Sequence, residues 1–192
     1  MKVVAFNGSP RKNGNTAMLI NNVFDQLQKE GIETEFLQLG GKDIKGCLGC
    51  MKCFEAQDKT CAARKDDILN EYLQKMIEAD GIIIGSPTYF SNVSSEVKAL
   101  IDRAGLVSIA NGHLLKRKVG AAVIAVRRAG ATDVFDAINK FFFINQVIVP
   151  GSTYWNMGFG LNKEEVTGDD EGMNTMKVLG ENMAWLLKKV NA

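Results

Sequence analysis

Residues Lys2 to Thr16 read KVVAFNGSPRKNGNT. The apolar run Val3-Val4-Ala5-Phe6 has the character of a strand covered on both faces. It breaks into small and polar residues, and Asn15-Thr16 leads into a helical pattern. A strand running through such a loop into a helix N-terminus turns several backbone N–H groups toward one point. The helix dipole adds positive potential there, so a phosphate is the natural occupant. Gly8 and Gly14 let the backbone turn sharply or come close to a ligand. Ser9, Asn13, Asn15 and Thr16 offer hydrogen-bond donors, and Arg11 offers a charge.

The type of phosphate loop is narrowed by what the stretch lacks. A Walker A loop places four residues between its glycines and follows them with Lys-Ser/Thr. Here five residues separate Gly8 from Gly14, and Asn15 stands in the lysine position. The dinucleotide fingerprint Gly-x-Gly-x-x-Gly is also missing, since Gly8-Ser9-Pro10 has no second glycine. The loop Gly8-Ser9-Pro10-Arg11 with Asn15-Thr16 instead resembles the phosphate loop of the flavodoxin-like NADPH-dependent FMN reductase family. That resemblance implies FMN as the ligand.

The rest of the chain alternates strand and helix patterns. A helix is predicted over Asn15–Lys29, closed by Gly31, and a strand over Ile32–Leu39. Asp66 or Asp67 is suited to cap a helix reaching about Ala79. Gly81–Gly85 is the most strand-like run, and Ser94 or Ser95 opens the next helix. Lys118–Val126 reads as a further strand and Thr132 as the cap of a helix carrying Val134, Phe135, Ile138, Phe141 and Phe142. Gln146–Val149 reads as a fifth strand ended by Pro150-Gly151. A last helix runs from Gly172 or Met173 to Lys189, and the acids Asp169-Asp170-Glu171 before it suit its dipole. Strands alternating with helices predict an α/β, doubly wound, five-stranded parallel sheet of flavodoxin-like order 2-1-3-4-5. In that fold the ligand lies at the carboxyl ends of strands 1 and 3.

Length and composition set bounds. The 192 residues are expected to form one domain, 1–192, with a cysteine-rich insertion at about 40–65. A chain of this size buries roughly 70% of the surface its unfolded form exposes. The formal charge of +1 gives no electrostatic reason to expect nucleic acid or a membrane surface. No apolar run reaches the length of a membrane span, and no signal peptide is visible, so a cytoplasmic protein is expected. His113 is the single histidine, which leaves little from which to build a His-based metal site or a Ser–His triad.

The placement of the ligand makes its own demand on the loop after the Gly81–Gly85 strand. That loop is Ser86-Pro87-Thr88-Tyr89-Phe90-Ser91-Asn92. Pro87 stiffens it, Tyr89 and Phe90 can pack on a ring, and the backbone about Thr88 and Asn92 can hydrogen-bond a polar ring edge. With Lys98-Ala-Leu-Ile-Asp-Arg103 beyond it, the loop again resembles the FMN reductase family, in which Pro-x-Tyr and Lys-x-Leu-x-Asp-Arg recur. A third loop, Arg127-Arg128-Ala129-Gly130, ends the fourth strand. Its arginines either reach the flavin edge or the phosphate of an incoming NAD(P)H, or form a solvated surface pair. Arg128 and Gly130 are the candidates carried forward.

All four cysteines lie between positions 47 and 61, spaced Cys47-x2-Cys50-x2-Cys53-x7-Cys61. Structural zinc usually uses two separated Cys-x2-4-Cys knuckles. Three cysteines at intervals of three allow one loop to wrap a cubane, and a fourth closes it. Together with the flavin loops, this spacing resembles that of the iron–sulfur flavoproteins, which carry FMN and a [4Fe–4S] cluster on a compact Cys motif. Cluster-free members of the wider family also retain several of these cysteines. The resemblance implies an FMN-dependent oxidoreductase that relays electrons between the cluster, FMN and a small acceptor, with no side chain needed as nucleophile or base. It also implies a small electron carrier as redox partner and a homodimer or homotetramer. The alternative is a cluster-free NAD(P)H-dependent FMN or quinone reductase, and a third reading is a non-catalytic electron carrier or flavin sensor.

Overall fold

In the computed structural model, which describes residues 1–191, the apolar runs become strands of one sheet. These are β1 (Lys2–Asn7), β2 (Glu33–Gln38), β3 (Gly81–Pro87), β4 (Val119–Val126) and β5 (Met157–Phe159). The order is β2-β1-β3-β4-β5, with every pairing parallel. Parallel neighbours need crossovers, and these run through α1 (Asn15–Lys29), α3 (Leu69–Glu78), α4 (Ser95–Ala110) and α5 (Ala131–Ile144), while α6 (Asp170–Val190) follows the last strand and packs back on the sheet. A short helix, α2 (Lys52–Ala56), lies within the cysteine segment.

Side chains alternate across the sheet and divide the core in two. Val4, Phe6, Ile82, Ile84 and Ile124 face the layer built from α3, α4 and α5. Val3, Ala5, Ile83, Val123 and their neighbours face α1 and α6. β3 is buried along all but its last residue and β4 along its whole length, which is why both read as continuous apolar runs. Each fully buried Ile, Leu or Phe contributes about 1.5–3 kcal/mol relative to exposure.

The fifth strand departs from the sequence expectation. Gln146–Val149 does not form a strand: Ile148 makes one isolated parallel bridge to Val119. Pro150 has no N–H with which to continue that ladder. The chain then swings out and returns as Met157–Phe159, which pairs with Ile124–Val126 near the C-terminal end of β4. Asp169 fixes this edge, accepting from Phe159 N at 2.7 Å and from Gly172 N at 3.0 Å at the start of α6. Three helix starts also move, α6 opening at Asp170 with Asp169 as its cap and not at Gly172 or Met173. α5 begins at Ala131 after Gly130, not after Thr132, because Gly130 takes a φ of +84° where Ser91 crowds it. α3 begins at Leu69, and Asp67 binds the Leu69 N–H from just outside.

Close backbone approach shapes the β1–α1 loop. Asn7 Nδ2 donates to Gln38 Oε1 at 2.8 Å, and Gln38 Nε2 donates to the carbonyls of Ser9 (2.7 Å) and Gly40 (2.8 Å). A Cβ at Gly40 would overlap the Ser9 carbonyl and come within 2.6 Å of Gly8 O. Gly40→Ala is therefore expected to lower stability by about 1–3 kcal/mol in urea unfolding. Gly46→Ala, with no atom within 4 Å of its new Cβ, should stay within ~0.5 kcal/mol of the parent. Equal stability of the two variants would contradict this packing.

Candidate functional site

The strands end at one edge of the sheet, and their loops enclose a cleft of about 260 Å³ lined by Ser9, Arg11, Asn15, Thr16, Pro87, Thr88, Tyr89, Ala125, Arg127, Gly160 and Leu161. Its floor is the N-terminus of α1. This helix of 15 residues has no side-chain N-cap and no acid in its first turn. Its leading N–H groups are therefore left for whatever enters the cleft. Ser9 Oγ accepts from Arg11 N at 3.2 Å and shapes the loop. Arg11 Nη1 donates to Leu161 O at 3.2 Å, and Asn15 Nδ2 to Asn162 O at 2.9 Å. The 160–165 segment thus closes over the loop, and Glu165 pins it by accepting from the N–H groups of Leu161 and Asn162.

The aromatic loop is less uniform than its sequence suggests. Thr88 N and Oγ1 both donate to Ala125 O, at 2.9 and 3.2 Å, so this side chain braces the loop against β4. Tyr89 and Asn92 exchange backbone hydrogen bonds of 2.9 Å around Phe90 and Ser91, both at positive φ, as in a type I′ turn. Asn92 Oδ1 accepts from Val93 N at 2.9 Å. Tyr89 lines the cleft, whereas Phe90 stands fully exposed at the tip of the turn.

Of the predicted residues, the structure gathers Ser9, Arg11, Asn15, Thr16, Pro87, Thr88 and Tyr89 around the cleft. Asn13 lines an adjoining opening with Arg11, Asn162 and Lys163. At the third loop Arg127, not Arg128, lines the cleft, and Gly130 allows Ser91 to pack close. Gly160, Leu161 and Asn162 had no signal of their own in the sequence. They reach the site through β5, whose position the sequence did not give.

The four cysteines line a second, narrow pocket, beside Leu48, Met51, Leu106 and Val107 and the arginines Arg64 and Arg103. All four are free thiols. Gly49, at φ +61°, turns its N–H onto Cys47 Sγ at 3.4 Å. Cys53 lies in the first turn of α2 and is buried. Burial pushes its thiol up, with its own N–H and that of Phe54 pulling it partly back. Cys61 is fixed through its N–H to Asn70 Oδ1 at 2.7 Å. Among the described residues, no three His, Cys, Asp or Glu side chains converge as a ready-made site for a single ion. The donor set itself is what a cubane takes: four thiols on one short segment around an apolar cavity, with an N–H already on one sulfur.

The two ends of this segment are tied by a buried ion pair. Arg103, on α4, is 1% exposed. Its Nη1 donates to Lys45 O at 3.0 Å and to Asp67, and its Nη2 donates to Arg64 O at 2.9 Å. Asp67 also accepts from Lys45 N at 2.9 Å. Burial alone would push the Asp67 carboxyl up, but hydrogen bonds from Arg103, Lys45 and Leu69 outweigh it and hold it below the usual range.

Comparison with known proteins fits this geometry. Residues 1–162 match the family described as NADPH-dependent FMN reductase. An iron–sulfur flavoprotein of Methanocaldococcus jannaschii is 39% identical over 197 residues, covering 99% of each chain. Among solved structures, RosB superposes with a TM-score of 0.79 at 23% identity, over all of this chain and 80% of its own. A flavodoxin, WrbA-like protein from Agrobacterium tumefaciens gives 0.67 at 15% identity, over 98% of this chain and 97% of its own. The chain belongs to the NADPH-dependent FMN reductase family, and its fold is flavodoxin-like. No helix among the described residues is long and apolar enough to cross a membrane.

Asp67→Ala removes one partner of a fully buried pair and should cost about 3–5 kcal/mol of stability. The lowered carboxyl also fixes the sign of a pH effect. Its contribution is complete above the unfolded value near pH ~3.9 and is lost as pH falls through the lower folded value. Acid titration of stability should therefore lose part of its steepness below about pH 4 in Asp67→Asn. An unchanged acid limb in that variant would contradict the pairing.

Proposed function

We propose that the protein is an FMN-dependent oxidoreductase of the iron–sulfur flavoprotein type, passing electrons between a [4Fe–4S] cluster, FMN and a small acceptor. The observation that carries this reading is the coexistence of two built sites. One is a cleft floored by an uncapped helix N-terminus, and the other is a pocket that collects all four cysteines. Bound FMN would supply one- and two-electron chemistry, and the cluster one-electron transfer.

The chain's own part is binding and orientation. Ser9, Asn15, Thr16 and the N–H groups of the α1 terminus would hold the FMN phosphate, with Arg11 offsetting its charge. Pro87, Tyr89 and the backbone of that loop would border the ring, and Gly160 and Leu161 would exclude water from the far side. Cys47, Cys50, Cys53 and Cys61 would hold the cluster. Arg127 sits at the cleft where it can meet the phosphate of NAD(P)H. The 39% identity to an iron–sulfur flavoprotein over 99% of each chain supports the cluster reading. A small electron carrier as donor, a homodimer or homotetramer, and a cytoplasmic setting that keeps thiols reduced belong to the same reading.

The match of residues 1–162 to the NADPH-dependent FMN reductase family supports the second reading, a cluster-free NAD(P)H-dependent FMN or quinone reductase. Cys50→Ala separates the two. On the first reading this variant loses bound iron and sulfide while FMN stays stoichiometric. Iron-free parent protein that oxidises NAD(P)H as fast as Cys50→Ala would establish the second. Arg11→Ala should weaken FMN binding about tenfold by loss of one charge-assisted contact, read by fluorescence titration. Unchanged affinity would place the phosphate elsewhere.

A further inference from the structure

The Arg103 guanidinium does more than close a loop. Nη1 and Nη2 are committed to Lys45 O, Asp67 and Arg64 O. Nε is buried and has no hydrogen-bond partner. A buried N–H left without an acceptor costs about 1–3 kcal/mol, so its persistence in a closely tied side chain asks for an acceptor. Arg103 lines the cysteine pocket. Cys61 lines the same pocket, so its sulfur shares that cavity with the guanidinium.

From this geometry we infer that Arg103 is a positioning residue for the cysteine site, with its free Nε–H directed at the sulfur side of a cluster bound there. The inference rests on the cluster reading given above. Asp67 faces the same guanidinium and balances its charge, so the distinctive contribution of Arg103 is the donated hydrogen bond. A cluster on four thiolates becomes more negative on reduction, and a donor to its sulfur stabilises the reduced form more than the oxidised one. Arg103 therefore raises the cluster potential. Lysine in its place can keep the pairing with Asp67, but a single ammonium cannot span Lys45 O, Arg64 O and a pocket sulfur together. Nothing in this argument requires a proton to move.

The test uses anaerobically reconstituted full-length protein and begins with iron and sulfide in the parent. FMN-loaded parent protein that takes up no iron overturns the cluster reading, and this inference falls with it. With iron present, the potential of Arg103→Lys is followed through the EPR signal of the reduced cluster. About a tenfold smaller reduced-to-oxidised ratio at fixed poise, ~59 mV for one electron, is expected, with FMN content unchanged. An equal potential in the two proteins overturns the inference while leaving the cluster reading intact. If Arg103→Lys binds FMN but no iron, the decision passes to Arg64→Lys with ¹⁵N confined to arginine. A ¹⁵N hyperfine coupling to its reduced cluster then supports the inference, and none overturns it.

Discussion

Every strand of this sheet runs in the same direction, and the rest of the molecule follows from that constraint. Parallel pairing forces each connection through a crossover, so each strand's C-terminal end opens into a loop at one common edge. The chain reverses its winding between β1 and β3, and there two loops diverge and leave a cleft instead of packing shut. Three features then act at one place: the uncapped terminus of α1, the braced Thr88–Tyr89 loop and the short β5 edge. The Asn7–Gln38 hydrogen bond and the close approach of Gly40 hold the β1–α1 loop from behind. The loop owes its shape to contacts made before any ligand arrives.

The cysteine segment is a different kind of construction. It belongs to no strand, and its single short helix could not stand alone. Its two ends are tied by a buried arginine–carboxylate pair that reaches across from α4 and takes hold of the backbone at Lys45 and Arg64. A buried pair of this sort is a weak source of net stability, because desolvation offsets much of the attraction. Its value here is in placement. On the proposed cluster reading, four thiols on a free loop would face a large ordering entropy, and the clamp would meet part of that cost in advance.

Much of this was legible in the sequence because local rules and tertiary roles agreed. β1, β3 and β4 are buried on both faces, so their apolar runs could be read directly, and the sheet order followed from their alternation with helices. The phosphate loop and the cysteine spacing are contiguous motifs and needed no folding to be seen. β5 was misplaced because an edge strand of three residues has no period to read, while Gln146–Val149 has the composition of a strand without a full partner. Arg127 and Arg128 are neighbours whose difference lies only in which one the turn aims at the cleft. Arg103 was visible as part of a helix motif. Its hold on residues 58 and 39 positions away in the chain is tertiary information that no window of sequence contains.

The most direct measurement is the visible spectrum of anaerobically purified protein, taken with its ratio of iron and acid-labile sulfide to flavin. Two flavin bands on a broad charge-transfer background, with about four irons per FMN, are the expected result. A clean flavin spectrum without iron would contradict the pairing of the two sites, and protein that binds no FMN when it is supplied would contradict the cleft itself.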